Sequence, residues 1–229
     1  MKRVIAFLRE LKQNNNREWF NKHKDEYHHA QSIFNDFVAR LINRMAAQDE
    51  SISGLEVNEC TFRIYRDVRF SKDKSPYKTH MGAYICPGGK KSGFSGYYFH
   101  VGVGGQGYPD GHMLAVGDYC CEPKVLRIIR EDIFDDGDQF HNLVTDAAKY
   151  GFVLDDTWKL KNVPKGFDKE SPWADYLKYK VYCLWTEPEE LLFTSDDSVE
   201  QVANIFLAAK PFLNFINRAI QYVKEGNDV

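Results

Sequence analysis

Apolar side chains change their spacing twice along this chain, and that leaves few folds open. Over the first 48 residues they recur at steps of three and four. From about residue 57 to 120 they fall into short aromatic and β-branched runs cut by glycine turns, and after 121 the helical spacing returns. A three-to-four step is the signature of a helix face; short runs between turns are that of strands. Helices, then strands, then helices, with no regular β-α-β alternation, predict an α+β fold. The expected architecture is a central antiparallel or mixed sheet flanked by a long N-terminal helix and C-terminal helices. A chain of 229 residues buries roughly 70–75% of its unfolded surface in one core. No internal repeat or low-complexity linker divides it, so the expectation is one domain, 1–229, helical over 1–48, sheet-rich over 57–120, and mixed and helical over 121–229.

In the N-terminal part Val4, Phe7/Leu8 and Leu11 make a short apolar stripe that Asn14-Asn15-Asn16 interrupts. An asparagine can cap a new helix, and Glu18 falls three residues after Asn15 as in a capping box. From Trp19/Phe20 through Tyr27, Phe34 and Leu41 to Met45 one amphipathic face continues. In the middle, Cys60 to Phe70, Met81 to Cys86, Gly96 to Val103 and His112 to Tyr119 are candidate strands. Beyond them, Pro123 opens a helix, Phe140 to Ala147 suggests another, and Leu177–Trp185 reads as a strand. Glu187–Phe193 and Ser198–Val223 read as helices, the latter broken at Lys210-Pro211.

The charge balance, 30 basic against 33 acidic residues for a net charge of -3, argues against a nucleic-acid coat protein. No apolar run approaches the roughly 20 residues of a membrane span. The apolar stretch before Arg9 is shorter than the roughly 7–15 residues of a secretory leader. Five cysteines, two of them adjacent, do not form a disulfide framework. These features together place the expectation in the reducing cytoplasm.

Against that neutral background residues 61–80 stand out, with six Lys/Arg and two Asp. If the segment were a strand, Phe62, Ile64, Val68 and Phe70 would share one face, and Arg63, Tyr65, Asp67 and Arg69 the other. Arg66 would then fall on the apolar side, where a lone charge is costly. It needs a bulge or a carboxylate partner. Arginine forks match phosphate and carboxylate oxygens. The segment therefore reads as an anion site built on Arg63, Arg66, Arg69, Lys72, Lys74 and Lys78. Asp67 and Asp73 would orient the cations, and Tyr77 and Tyr97 would shape the pocket. The alternative is structural: the same aspartates pair with the basic groups and pin a loop.

The string Arg66-Asp67-Val68-Arg69-Phe70-Ser71-Lys72-Asp73-Lys74-Ser75-Pro76-Tyr77-Lys78 resembles the signature of the conserved hypothetical family called domain-of-unknown-function family 2461. Asn15-Asn16-Arg17-Glu18-Trp19-Phe20 with Tyr27 is similar to its opening, and Gly96-Tyr97-Tyr98-Phe99-His100 to its aromatic strand. Pro164-Lys165-Gly166-Phe167 with Leu177-Lys178-Tyr179-Lys180 is similar to its C-terminal motif. The resemblance covers nearly the whole chain, and it carries no established activity. Gly117-Asp118-Tyr119-Cys120-Cys121-Glu122-Pro123 departs from it, so Asp118, Cys120 and Cys121 are particular to this chain.

Other motifs are weaker. Gly102-Val103-Gly104-Gly105-Gln106-Gly107 matches a dinucleotide fingerprint in form, but Tyr108-Pro109-Asp110-Gly111 is a turn and no helix follows. His80, His100 and His112 could ligate a metal, and His80 and His100 fall at two of the candidate strands, which would have to be neighbours. No metal-binding spacing supports that, and no metal or other cofactor is implied. Gly93-Phe94-Ser95-Gly96 is one residue short of a nucleophile elbow. Glu187 to Glu200 holds six carboxylates and no Lys or Arg, as solvated helix starts do.

The leading expectation is binding of a phosphate-bearing or other anionic small molecule, with Lys165 and Lys178 as supporting lysines. Whether the chain is an enzyme stays open. Phosphoryl transfer or hydrolysis would need Asp67 or His100 as base, and an Asp between arginines is a poor one. The competing expectation is a protein-interaction or structural module. RNA binding is a third, lowered by the net negative charge.

Overall fold

The computed structural model describes residues 1–105 and 110–226. Among these, nine α-helices and five strands run in the order α1 (Lys2–Gln13), α2 (Arg17–Lys22), α3 (Lys24–Ala46), α4 (Val57–Cys60), β1 (His80–Ile85), β2 (Gly96–Gly102), β3 (Met113–Asp118), α5 (Pro123–Asp135), α6 (Gly137–Ala148), β4 (Val153–Leu154), β5 (Tyr182–Thr186), α7 (Glu190–Thr194), α8 (Ser198–Ala208) and α9 (Lys210–Lys224). The strands form one antiparallel sheet in the order β1-β2-β3-β5-β4. The fold is α+β. The chain divides into two compact units, one of residues Met1–Lys91, Tyr98–Leu114 and Glu187–Asn204, the other of Ser92–Tyr97, Ala115–Thr186 and Ile205–Val229.

The first unit is built on the N-terminal helices. Phe7 of α1 meets Phe20 and Tyr27, and Phe34 and Phe37 of α3 pack on Phe99 of β2. Each of these side chains is buried, and each buried aromatic of this size stabilises by roughly 1.5–3 kcal/mol. The expected long helix is two: α2 ends at His23 and α3 begins there. The cap also moves by one residue, because the Asn16 side chain, not that of Asn15, accepts from the Trp19 N–H at 2.9 Å.

The second unit centres on Phe140, which meets Tyr176, Tyr182, Phe212 and Phe215. Pro211 falls in the first turn of α9, where a missing N–H costs nothing, so the expected break separates α8 from α9. Leu177 belongs to a 3-10 turn and not to the strand, and β5 starts only at Tyr182. The two-residue β4 pairs with it through Val153 and Leu154, a strand too short to announce itself in sequence. Gly117 has φ near +121°, and a Cβ there would stand 2.3 Å from the Tyr182 carbonyl oxygen, so only glycine fits.

Candidate functional site

The basic segment is an irregular hairpin rather than a strand. Its arms touch through single bridges, Thr61 with Ala83 of β1 and Tyr65 with Tyr77. Four steps on one arm oppose six on the other, so a bulge lies on the returning side. Arg66 N–H donates to the Pro76 carbonyl and Lys78 N–H to that of Ile64, at 2.9 and 2.8 Å. Backbone pairing therefore stops at Arg66 and Pro76, short of the strand expected through Phe70. Ile64 is buried, whereas Phe62 is 42% and Phe70 97% exposed. Asp67 and Asp73 explain the departure. Each carboxylate caps a backbone N–H two residues on, that of Arg69 at 3.2 Å and of Ser75 at 2.9 Å, which bends the chain into turns.

Asn15 holds the returning arm. Its side-chain amide donates to the Tyr77 carbonyl at 2.9 Å and accepts from the Tyr77 N–H at 3.1 Å, imitating a neighbouring strand. Tyr77 is buried, with its ring stacked on Phe20 at 3.9 Å. Tyr97 is likewise fully buried, against Phe206 in the second unit. Both rings sit in packing.

Half of the cluster's cations are taken up inside the loop. Arg66 pairs with Asp73 and donates to the Ser75 carbonyl at 3.2 Å. Arg66 thus has the carboxylate partner that its place in the sequence demanded. Arg69 forks onto Asp67 at 2.7 and 3.0 Å. The Arg69 hydrogen bonds hold Asp67 below the usual carboxylate range, and the Ser75 donors, then Arg66, do the same for Asp73. Lys74 Nζ lies 3.0 Å from the Val68 carbonyl.

Arg63, Lys72 and Lys78 are different. None makes an ion pair with a carboxylate among the described residues. Lys78 is half-buried, and its ammonium lies 5.6 Å over the exposed ring of Phe62. Burial, and then the Arg63 charge, push its pKa down. Nearby, His80 of β1 and His100 of β2 have ring centroids 4.8 Å apart. Burial, His100, Lys78 and Arg66 bring His80 down to about 3; burial foremost brings His100 to about 4. Both are neutral imidazoles at pH 7. The His100 Nε2–H donates to the Gly111 carbonyl at 2.8 Å, which leaves Nδ1 to accept from the Tyr98 hydroxyl at 3.0 Å. Both ring nitrogens of His100 are thus engaged by protein groups. Gly82 of β1 allows the approach, since a Cβ would meet the Tyr98 hydroxyl and His100 at 3.1 and 3.2 Å.

Lys165 and Lys178 lie in the second unit, where they line a pocket with Lys161 and Lys169. Asp118 closes β3 and accepts from the Cys120 N–H at 2.8 Å; its burial raises its pKa. Cys120 is exposed, whereas burial pushes the Cys121 thiol up, out of thiolate range at neutral pH. Among the described residues, no group of three or more His, Cys, Asp or Glu could hold a metal ion. Nor is any helix there long and apolar enough to cross a membrane. Gly102 ends β2, and Gln106-Gly107 with Tyr108-Pro109 lie outside the described residues. The family-like string gave no hint of the Asn15 clamp, because an asparagine that mimics a strand looks like any other asparagine in a turn.

The geometry defines a class: an α+β protein with an irregular basic hairpin at one sheet edge, part of its charge compensated within the loop and part left over. Within it, the chain belongs to the conserved hypothetical protein family DUF2461, whose model matches residues 3–215. No curated protein and no solved structure matches the chain.

Proposed function

We propose that the face carrying Arg63 and Lys78 binds an anionic ligand, with a phosphate-bearing small molecule as the chemistry it suits best. The observation that carries this reading is Lys78 itself. A half-buried ammonium beside a guanidinium, neither in an ion pair with a carboxylate among the described residues and with Asp67 acting on Arg63 only from a distance, leaves positive potential at a partly desolvated spot. An anion there would gain charge-assisted hydrogen bonds that water-exposed lysines do not offer. Arg63 would supply the fork, Lys78 the point charge, and Phe62 an apolar wall. Lys72 adds to the field from the loop. Arg66, Arg69 and Lys74 hold the loop's shape, with Asp67 and Asp73 as their partners, and this is the part of the cluster that the structural reading describes.

Binding is favoured over phosphoryl transfer or hydrolysis. Asp67, held low by Arg69, is a poor base, and so is His100, which burial brings down to about 4. The free thiols of all five cysteines support placement in a reducing cytoplasm. The test is thermal stability against orthophosphate, a sugar phosphate and a nucleoside monophosphate. A ligand at about 100 times its dissociation constant adds roughly 2.7 kcal/mol of stability. The expected result is a selective rise in Tm that disappears in Arg63→Ala/Lys78→Met while the circular dichroism stays native. A rise that survives this double variant, or no rise with any of the three, rejects the assignment.

A further inference from the structure

We propose a second anion site in the second unit, formed by Lys161, Lys165, Lys169 and Lys178, that takes a compact ligand bearing two linked phosphates. It uses none of the residues of the site above. The four lysines line one pocket of about 410 Å³, with Pro164 and Phe167 as apolar walls. That is room for a small ligand.

The pocket is made by a stretch that has no reason of its own to be ordered. From Asp155 to Asp175 the chain forms neither helix nor strand. Irregular stretches of this length in compact proteins are usually functional or disordered. This one is pinned at several points. Leu160 N–H donates to the Lys178 carbonyl at 2.8 Å, and Lys180 N–H to that of Trp158 at 3.2 Å. Phe167 packs edge-on against Phe134 of α5 at 5.7 Å. The Trp173 ring lies so close to Gly137 of α6 that a Cβ there would stand 2.2 Å from it. At Gly166 a left-handed φ of +101° turns the chain directly after Lys165.

Residues 155–175 carry four lysines and five carboxylates, so the stretch as a whole is not basic, but every charged side chain lining the pocket is a lysine. Lys161, Lys165 and Lys169 are exposed and have no carboxylate partner among the described residues. Asp175 is shared between Lys159 at 2.5 Å and Lys178 at 3.4 Å. Asp168 and Glu170 are not among the residues lining the pocket, and the Asp168 carboxylate is turned to the Glu170 N–H at 2.9 Å. Three ammonium groups without an ion pair among the described residues, beside Lys178 on its shared carboxylate, leave the hollow positive until an anion enters. All four are lysines, flexible point charges that suit phosphate oxygens approached from several sides, without the arginine fork that favours a planar carboxylate. One phosphate carries about two negative charges at most. Two linked phosphates match the lysines better.

Isothermal titration with inorganic pyrophosphate and with orthophosphate, at low and at moderate salt, tests this. Wild-type protein is expected to bind pyrophosphate at least about tenfold more tightly than orthophosphate, and more weakly as salt rises. Lys165→Ala/Lys169→Ala, two exposed positions that leave the fold intact, should weaken pyrophosphate at least about tenfold. Arg63→Ala/Lys78→Met should retain this pyrophosphate site, so failure of the first site and failure of the second are told apart. A Lys165→Ala/Lys169→Ala protein with the wild-type pyrophosphate isotherm, or no binding up to about 10 mM, overturns the proposal.

Discussion

Two loops in this protein each carry four basic residues, and they handle the charge in opposite ways. In the 66–76 loop the two aspartates sit where arginines can reach them, Asp67 two residues from Arg69 and Asp73 seven from Arg66. In the 155–175 loop four lysines stand among five acids, yet among the described residues only Asp175 forms ion pairs, with Lys159 of the loop and with Lys178 beyond it. Charge counts rate the first loop basic, four cations against two acids, and the second slightly acidic, four lysines against five acids. What separates them is the side chain that carries the charge and the spacing of its counter-charge. Arginine with a nearby aspartate closes a fork on itself and shapes a loop; lysines without one leave a field for something else to fill. Both loops also have anchors that are not ion pairs. Asn15 and Phe20 hold the first through Tyr77, and Gly137 and Phe134 hold the second through Trp173 and Phe167.

Acid should separate the two regions most strongly. His80, half-buried, and His100, fully buried, are neutral, with folded pKa values near 3 and 4. The unfolded chain takes up these protons near pH 6.5, and the folded chain does not until far lower. Stability therefore falls as pH drops below about 6.5, and the loss ends only as the folded values are reached. At pH 5 each histidine removes about 2 kcal/mol. Asp67 and Asp73, with lowered folded pKa values, lose their contribution only below about pH 4, so they do not blur this window. Burial raises Asp118 in the second unit and pulls the other way. Hydrogen exchange at pH 7 and pH 5 should show β1 and Tyr98–Gly102 of β2 losing protection before α5 and α6. Equal loss in both units, or a flat urea midpoint from pH 7 to pH 5, would sink the histidine argument.

The same contrast marks what the sequence could reveal. Period and turn residues placed β1, β2, β3 and α5 within a residue or two, because each carries a strong local pattern. The pairing of Arg66 with a carboxylate was also legible, since a charge at an apolar position demands one. The strand expected through Phe70 failed because Asp67 and Asp73 capture backbone donors and override β-propensity. Capping of that kind depends on local geometry that alternation does not register. The lysine pocket was only half visible. Lys165 and Lys178 were singled out by motif, but Lys161 and Lys169 join them only through the folding of an irregular loop.

Gly137→Ala tests whether packing, and not charge, positions the second loop. The added methyl would collide with the Trp173 ring. Overpacking of this kind costs about 2–3 kcal/mol. Amides of residues 159–180 should lose protection while those of 61–83 keep theirs. Pyrophosphate affinity should fall with the loop even though every lysine is still present. An unchanged urea midpoint, with unchanged exchange over 159–180, would mean that the lysine loop is held some other way.

Asn15→Ala is the matching change in the first loop and should have the smallest effect of the three. It deletes both hydrogen bonds to the Tyr77 backbone, one donated and one accepted. The site is part-buried, so water replaces them only in part, and the loss should be about 1–2 kcal/mol. Asn15→Asp is the more informative variant. A carboxylate can still accept from the Tyr77 N–H but has no proton to give to the Tyr77 carbonyl, so it should recover only part of the loss at neutral pH. It should recover more in acid, once the carboxyl is protonated and can donate. That gain runs against the histidine trend, which removes stability over the same fall in pH, so the variant should be less acid-sensitive than the wild type below about pH 5. If Asn15→Asp tracks the wild type at every pH, the amide's two-way bond does not hold the arm, and stacking of Tyr77 on Phe20 must be what keeps Lys78 and Arg63 together.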